Sequence, residues 1–111
     1  MTHEMKLWHD SFVKIKEQTK TIEVRLFDEK RSAISTGDTI IFTDSSNNER
    51  IACVVTNMFQ YPSFEELYRC HNKLSIGYSE GENANPKDML AYYSNEMIEK
   101  YGAVAIEVQV Q

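Results

Sequence analysis

The chain has 111 residues, of which 41% are hydrophobic, 26% charged and 11% aromatic, with only four glycines and two prolines. These values are typical of one globular domain over residues 1–111, and they exclude a disordered, collagen-like or low-complexity polypeptide. Twelve basic against seventeen acidic residues give a net charge of −5, which excludes nonspecific coating of nucleic acid because such binding depends on phosphate neutralisation.

The N-terminal part of the chain predicts a helix followed by a strand. Its apolar residues recur at steps of three and four, which indicates an amphipathic helix over residues 5–18 with the stripe Met5, Trp8, Phe12 and Ile15. We expect Trp8 to lie in the core with the rest of this stripe. Residues 21–26 then alternate polar and apolar, which predicts a half-buried strand.

Turn signals separate two further strands in the middle of the chain. Residues 28–31 are all charged and predict a turn or a short helix. Residues 36–38 have turn chemistry and lead into a strand over residues 39–42. The polar segment 44–48 predicts a hairpin loop, after which the chain returns in a longer strand over residues 50–59.

Helices dominate the last third of the predicted chain. Ser63 is the expected N-cap of a helix, because Glu66 stands at the capping-box spacing. After a loop over residues 75–86, Pro86 begins a second helix, and Ser94 caps a third that ends at Gly102. A strand over residues 104–108 follows. This order of elements favours an α+β fold with a largely antiparallel, barrel-like sheet.

Several classes of site and location are not indicated by the sequence. The apolar runs of the sequence, among them residues 40–42 and 103–106, are far shorter than the roughly 20 residues that a membrane helix needs, and no signal peptide is evident. We therefore expect a cytoplasmic protein that does not bind membranes. Cys53 and Cys70 do not have metal-ligand spacing, so we predict neither a metal nor a cofactor.

The strand over residues 21–26 carries the most informative polar side chains. With two-residue alternation, Thr21, Glu23 and Arg25 point to one face and lie about 6–7 Å apart. Lys20 precedes them at the mouth of the strand. On an exposed sheet such a row forms ordinary cross-strand ion pairs, and periodicity alone favours that interpretation.

A resemblance to a known family shifts the balance towards a functional site. The segment 20–25 (KTIEVR), the charged turn 28–31 and the segment 36–42 (TGDTIIF) together resemble the ASCH domain family. The segment 61–67, Tyr92–Ser94 and the segment 100–107 also resemble that family. One departure is Gln18, which stands where a glycine often precedes the lysine.

The resemblance implies a PUA-like fold, a small β-barrel flanked by helices, with a cleft lined by Lys20, Glu23 and Arg25. For many members it implies binding of RNA or of a modified nucleoside. A branch of small bacterial members hydrolyses the amide of N4-acetylcytidine with a lysine at the position of Lys20, a threonine at the position of Glu23 and a late glutamate. That glutamate corresponds to Glu82, with Glu80 as the alternative.

The residue chemistry favours binding over hydrolysis. A carboxylate beside Lys20 stabilises its ammonium form, which suits an anchor better than a base or nucleophile. Arg25 can contact a phosphate or a base edge, and Glu23 can accept hydrogen bonds from an exocyclic amine. We therefore expect a module that binds RNA, a nucleotide or a nucleoside through Lys20, Thr21, Glu23 and Arg25. The alternative is an amidohydrolase with Lys20, Glu23 and Glu82 as catalytic residues, and an interaction partner without a small ligand is a third possibility.

Overall fold

The computed structural model describes residues 1–111 and contains one five-stranded sheet with short helices packed on it. The strands are β1 (Thr2–Leu7), β2 (Ile22–Leu26), β3 (Thr39–Asp44), β4 (Arg50–Tyr61) and β5 (Ala103–Val110). The α-helices are α1 (His9–Lys16), α2 (Glu29–Ser32), α3 (Phe64–Cys70) and α4 (Asn95–Tyr101), and a 3₁₀ helix spans Pro86–Ala91. The predicted α+β class is confirmed.

The strands pair in the order β1-β3-β4-β5-β2, so β1 and β2 are the two edges of the sheet. All pairs are antiparallel except β1 with β3, which run parallel from Thr2 opposite Thr39 to Leu7 opposite Asp44. The long strand β4 has an irregularity between Val55 and Asn57, and such bulges increase the local bend of a strand. The sheet therefore curls into a half-barrel, and its two edge strands come close to each other without pairing.

The helix predicted over residues 5–18 is wrong in its first half. Residues 2–7 form strand β1, in which Met5 and Leu7 are buried and the residue between them is exposed. Met5 fits both a helical and a two-residue period, and only the pairing with β3 decides between them. The helix begins at His9, and Trp8 is exposed at its N-cap instead of buried in the core.

The predicted helix starts in the last third are largely confirmed. The Ser63 hydroxyl accepts a hydrogen bond from the backbone N–H of Glu66, and the Ser94 hydroxyl accepts one from Met97. The helix predicted from Pro86 is instead a 3₁₀ helix that ends at Ala91. Asn85 caps it through the backbone N–H of Lys87.

Both faces of the sheet are covered, and β5 contributes to both cores. Val104, Ile106 and Val108 face the larger core, which includes Phe12 and Ile15 of α1. Ala103 and Ala105 face a smaller core around α3 and the 3₁₀ helix. The alternation follows the pleat of the strand, and the small alanine side chains let these helices approach the sheet closely.

None of the helices combines the length and the apolar character that crossing a bilayer requires.

Candidate functional site

A cleft of about 980 Å³ opens where the two edge strands of the sheet face each other. The end of β1 and the following turn (residues 6–8) form one wall, and residues 23–25 of β2 lie opposite. The first turns of α1, the loop 76–82 and the 3₁₀ helix complete the lining. The cleft is therefore built from the part of the half-barrel that strand pairing leaves open.

Glu23 sits between two cations in this cleft. Its Oε1 lies 2.7 Å from Lys20 Nζ, and its Oε2 accepts a 2.5 Å hydrogen bond from Arg25 Nε. Arg25 Nη2 also donates to the backbone carbonyl of Lys6 at 2.9 Å, which links the two edges of the sheet. We call Lys20, Glu23 and Arg25 the charged triad.

The register of β2 explains why Glu23 is buried. In the antiparallel pairing with β5, Glu23 lies opposite Ile106 and Arg25 opposite Val104, so both side chains enter the face of the sheet that carries the larger core. Glu23 is only 4% exposed. Alternation predicts an open polar face opposite a single core, and that prediction is wrong because helix α1 and the β1 edge cover the face.

The environment of Glu23 favours its ionised form. Burial raises the pKa of its carboxyl, but the nearby charges of Lys20 and Arg25 lower that pKa by more. The pKa of Glu23 therefore lies below its ordinary value. Oε1 contacts Lys20 Nζ at 2.7 Å and accepts no hydrogen bond from any other group. Glu23 therefore lines the cleft as a carboxylate held between two cations.

Two neighbours hold Lys20, which is itself 7% exposed. Its Nζ donates to the hydroxyl of Ser11 on α1 at 3.2 Å. Gly77, with φ of +110°, packs over the lysine stem, where an added Cβ would lie 3.0 Å from Lys20 Cδ. The ammonium therefore has a defined position at the cleft.

We expect Gly77→Ala to lower the free energy of unfolding by about 1–3 kcal/mol, because alanine is strained at a positive φ and its Cβ presses on Lys20. Gly37→Ala is the matched control, since Gly37 has φ of +95° and a Cβ added there would meet no atom within 4 Å. Urea denaturation of both variants separates backbone strain from the contact. Equal losses in the two variants would contradict a role of Gly77 in holding Lys20.

The loop 76–82 brings Glu82 to the same cleft as Lys20. Glu82 Oε1 accepts a 2.7 Å hydrogen bond from the backbone N–H of Ser79, which lowers the pKa of that carboxyl. Lys14 Nζ on α1 donates to the carbonyl of Gly77 at 2.8 Å and to the Ser79 hydroxyl at 3.0 Å. These contacts fix the loop against α1. Glu80, the alternative position, does not line the cleft.

Thr21 does not belong to the cleft with the charged triad. Its backbone N–H bonds to the carbonyl of Ser75, and its own carbonyl accepts from Val108. Thr21 instead lines a smaller cavity of about 80 Å³, to which Lys20 also contributes. Of the predicted site residues, the structure brings Lys20, Glu23, Arg25 and Glu82 together and leaves Thr21 outside.

Aromatic side chains form much of the remaining cleft wall, which is lined by Trp8, Tyr68, Tyr78, Tyr92 and Tyr93. The hydroxyls of Tyr68 and Tyr78 lie 3.0 Å apart, and Tyr78 donates to Asp88 Oδ2 at 2.7 Å. Periodicity assigns Trp8 to the core, so its place in the cleft was missed. The apolar residues Met5 and Leu7, two positions apart, are the signal that could have ended the helix before Trp8.

The charges that line the cleft are balanced in number. The basic residues are Lys6, Lys14, Lys20 and Arg25, and the acidic ones are Asp10, Glu23, Glu82 and Asp88. No three His, Cys, Asp or Glu side chains are grouped as metal ligands. The site therefore combines buried charged side chains that can form hydrogen bonds with aromatic rings that lie beside them.

Comparison with known proteins identifies the family. The family model of the ASCH domain matches residues 5–111. The crystal structure of hypothetical protein PH0355 is 32% identical, with complete coverage of both chains and a TM-score of 0.86. The solution NMR structure of protein PF0455 from Pyrococcus furiosus is 31% identical, covers 99% of this chain and 97% of the other, and has a TM-score of 0.77.

An ASCH protein from Zymomonas mobilis, ZmASCH, has the same fold at greater distance. The crystal structure of its S128A mutant is 15% identical, with 96% of this chain and 68% of the other covered and a TM-score of 0.69. No curated protein matches the chain. The resemblance seen in the sequence is thus confirmed at the level of family and fold, and the chain belongs to the ASCH domain family, with the PUA-like fold that its curled sheet and flanking helices display.

Proposed function

We propose that the cleft binds a nucleobase, presented either by a free nucleoside or by RNA, and that the charged triad recognises the edge of that base. The family supports this proposal, since ASCH domains are a PUA-like family proposed for RNA binding. The observation that carries it is the buried Glu23 carboxylate between two cations, in a cleft whose remaining wall is largely aromatic.

The triad matches a base that offers an N–H and a carbonyl oxygen on the same edge. In the proposed complex the Glu23 carboxylate accepts from a ring or exocyclic N–H of the base, and Lys20 and Arg25 donate to its acceptor atoms. Uridine presents N3–H between two carbonyl oxygens, and cytidine presents its exocyclic N–H on the same edge as a ring nitrogen and one carbonyl oxygen, whereas adenosine has no carbonyl oxygen on its base.

Titration of the ¹⁵N-labelled protein with cytidine, uridine, adenosine and a short single-stranded RNA tests the proposal. We expect the amides of Ser11, residues 20–25 and Gly77 to shift with cytidine or uridine and less with adenosine. Absence of shifts at this site with every nucleoside and with the RNA at millimolar concentration would rule the proposal out.

Lys20→Met supplies the site variant, because it leaves the neutral Glu23–Arg25 ion pair in place and we therefore expect the fold to be retained. We expect cytidine affinity to fall at least tenfold, a loss of about 1.4 kcal/mol that is typical of one charged hydrogen bond. Lys16→Met is the matched control, since Lys16 is an exposed lysine of α1 that pairs with Glu49 outside the cleft. Equal cytidine affinities of the two variants would show that Lys20 does not contribute to binding.

A second candidate is hydrolysis of N4-acetylcytidine to cytidine and acetate by addition of water to the amide. The observation that favours it is that Glu82 and Lys20 line one cleft. Chromatography of N4-acetylcytidine incubated with wild type, Lys20→Met and Lys16→Met tests it. Cytidine release that is lost in Lys20→Met and kept in Lys16→Met would support hydrolysis. If the folded wild-type protein releases no cytidine, hydrolysis is ruled out and binding remains the proposed function.

A further inference from the structure

Trp8 is a large aromatic side chain that the fold leaves in solvent. It is the single tryptophan of the chain, it is 68% exposed, and it belongs to neither core. It lines the cleft. Tryptophan side chains are highly buried on average, so one left exposed in a cleft is an informative exception.

Contacts on both sides of Trp8 attach its segment to the charged triad. Two residues before it, the carbonyl of Lys6 accepts from Arg25 Nη2 at 2.9 Å. Three residues after it, the hydroxyl of Ser11 accepts from Lys20 Nζ at 3.2 Å. Trp8 therefore belongs to a segment, residues 6–11, that forms hydrogen bonds with both Arg25 and Lys20.

The backbone at Trp8 is fixed independently of any ligand. The next residue, His9, contacts the buried carboxylate of Asp44 through Nδ1 at 2.6 Å. The carbonyl of Trp8 accepts from the backbone N–H of Phe12 as the first bond of α1. A ligand that stacks on the indole thus meets a surface whose main chain is already ordered, which lowers the entropic cost of binding.

We propose that Trp8 is the stacking platform of the cleft and that the ligand is a planar aromatic ring whose face lies on the indole while the charged triad contacts its edge. This inference rests on the proposed function and names the chemical class of its ligand. Stacking accepts any base, because every base has a π-face, so Trp8 provides affinity and the triad provides selectivity.

Intrinsic tryptophan fluorescence tests the platform directly, because Trp8 is the single tryptophan of the chain. We expect cytidine to change the Trp8 emission in a saturable way, with the same Kd as the amide shifts of residues 20–25. D-ribose, which lacks a ring that can stack, should leave the emission unchanged. Amide shifts at residues 20–25 without any change in Trp8 emission would overturn the platform and leave the proposed function intact.

Substitution supplies the second measurement. Trp8→Ala should weaken cytidine binding by about 5- to 150-fold, the usual range for loss of one base-stacking side chain, and Trp8→Phe should retain most of the affinity. Met97→Ala is the matched control, since Met97 is an exposed apolar residue, 42% exposed, that does not line the cleft.

Three further results would count against the platform. Equal affinities of Trp8→Ala and Met97→Ala would overturn it. Emission that follows protein concentration instead of ligand would assign Trp8 to contact with a second copy and would also overturn it. If neither the nucleosides nor the RNA change the emission or the amide shifts, the proposed function fails and the platform fails with it.

Discussion

Replacing Glu23 by Gln lowers the free energy of unfolding at pH 7 by about 3–5 kcal/mol, because the variant leaves the charges of Lys20 and Arg25 without a counter-ion in a buried place. Glutamine keeps the volume of glutamate, so the loss reports charge and not a cavity. Urea denaturation followed by circular dichroism measures it. Since domains are usually stable by about 5–15 kcal/mol, the transition should move to much lower urea concentration.

Glu49→Gln is the control with the same chemical change. Glu49 pairs with Lys16 at the surface, where both side chains are about half exposed. Exposed pairs contribute about 0–1 kcal/mol, so this variant should unfold nearly like wild type. If Glu23→Gln and Glu49→Gln lose the same stability, burial of the charged triad has no energetic consequence.

The same comparison has a defined pH dependence. The pKa of Glu23 in the folded protein lies below its ordinary value of 4.5, so its ionised form contributes stability that is present above the unfolded pKa and is lost as pH falls through the folded pKa. The stability difference between wild type and Glu23→Gln should therefore be constant near neutrality and shrink below about pH 4.5. A difference that grows on acidification would mean that the carboxyl is protonated in the folded state.

Local signals predicted a large part of the fold. The strand predicted over residues 39–42 is Thr39–Asp44, and the one over residues 50–59 is Arg50–Tyr61. Ser63 and Ser94 cap helices as expected, because a capping hydroxyl bonds to a backbone N–H only three residues away. Features that depend on such short-range contacts are readable from one sequence.

Features that depend on distant parts of the chain were missed. Strand β1 exists because it pairs in parallel with β3, more than thirty residues away, and that pairing overrides the helical period of its residues. The burial of Glu23 depends on α1 and β1 covering a face that alternation alone leaves open. The contacts of Ser11 and Gly77 with Lys20 likewise join segments that no motif connects.

Replacing the whole charged triad should restore the stability that the single change removes. In Lys20→Met, Glu23→Leu and Arg25→Met combined, no buried charge is left unpaired, and buried ionic triads are often replaced by apolar residues of similar volume at neutral or favourable free energy. We expect the triple variant to unfold within about 1–2 kcal/mol of wild type or above it, whereas Glu23→Leu alone loses about 3–5 kcal/mol. Urea denaturation of both variants measures the difference.

Cytidine binding, in contrast to stability, should not recover in the triple variant. Removal of the triad takes away every charged group that contacts the base edge in the proposed complex, so Kd should rise by about 30-fold or more, the effect of one lost buried charge contact. The triple variant keeps Trp8 and the neighbouring His9–Asp44 contact, so residual stacking can be measured in it through the tryptophan emission. A triple variant that is as stable as wild type but does not bind cytidine would show that the triad serves ligand binding and is not needed for stability. A triple variant as unstable as Glu23→Leu would instead make the triad a structural link between β2, α1 and the β1 edge.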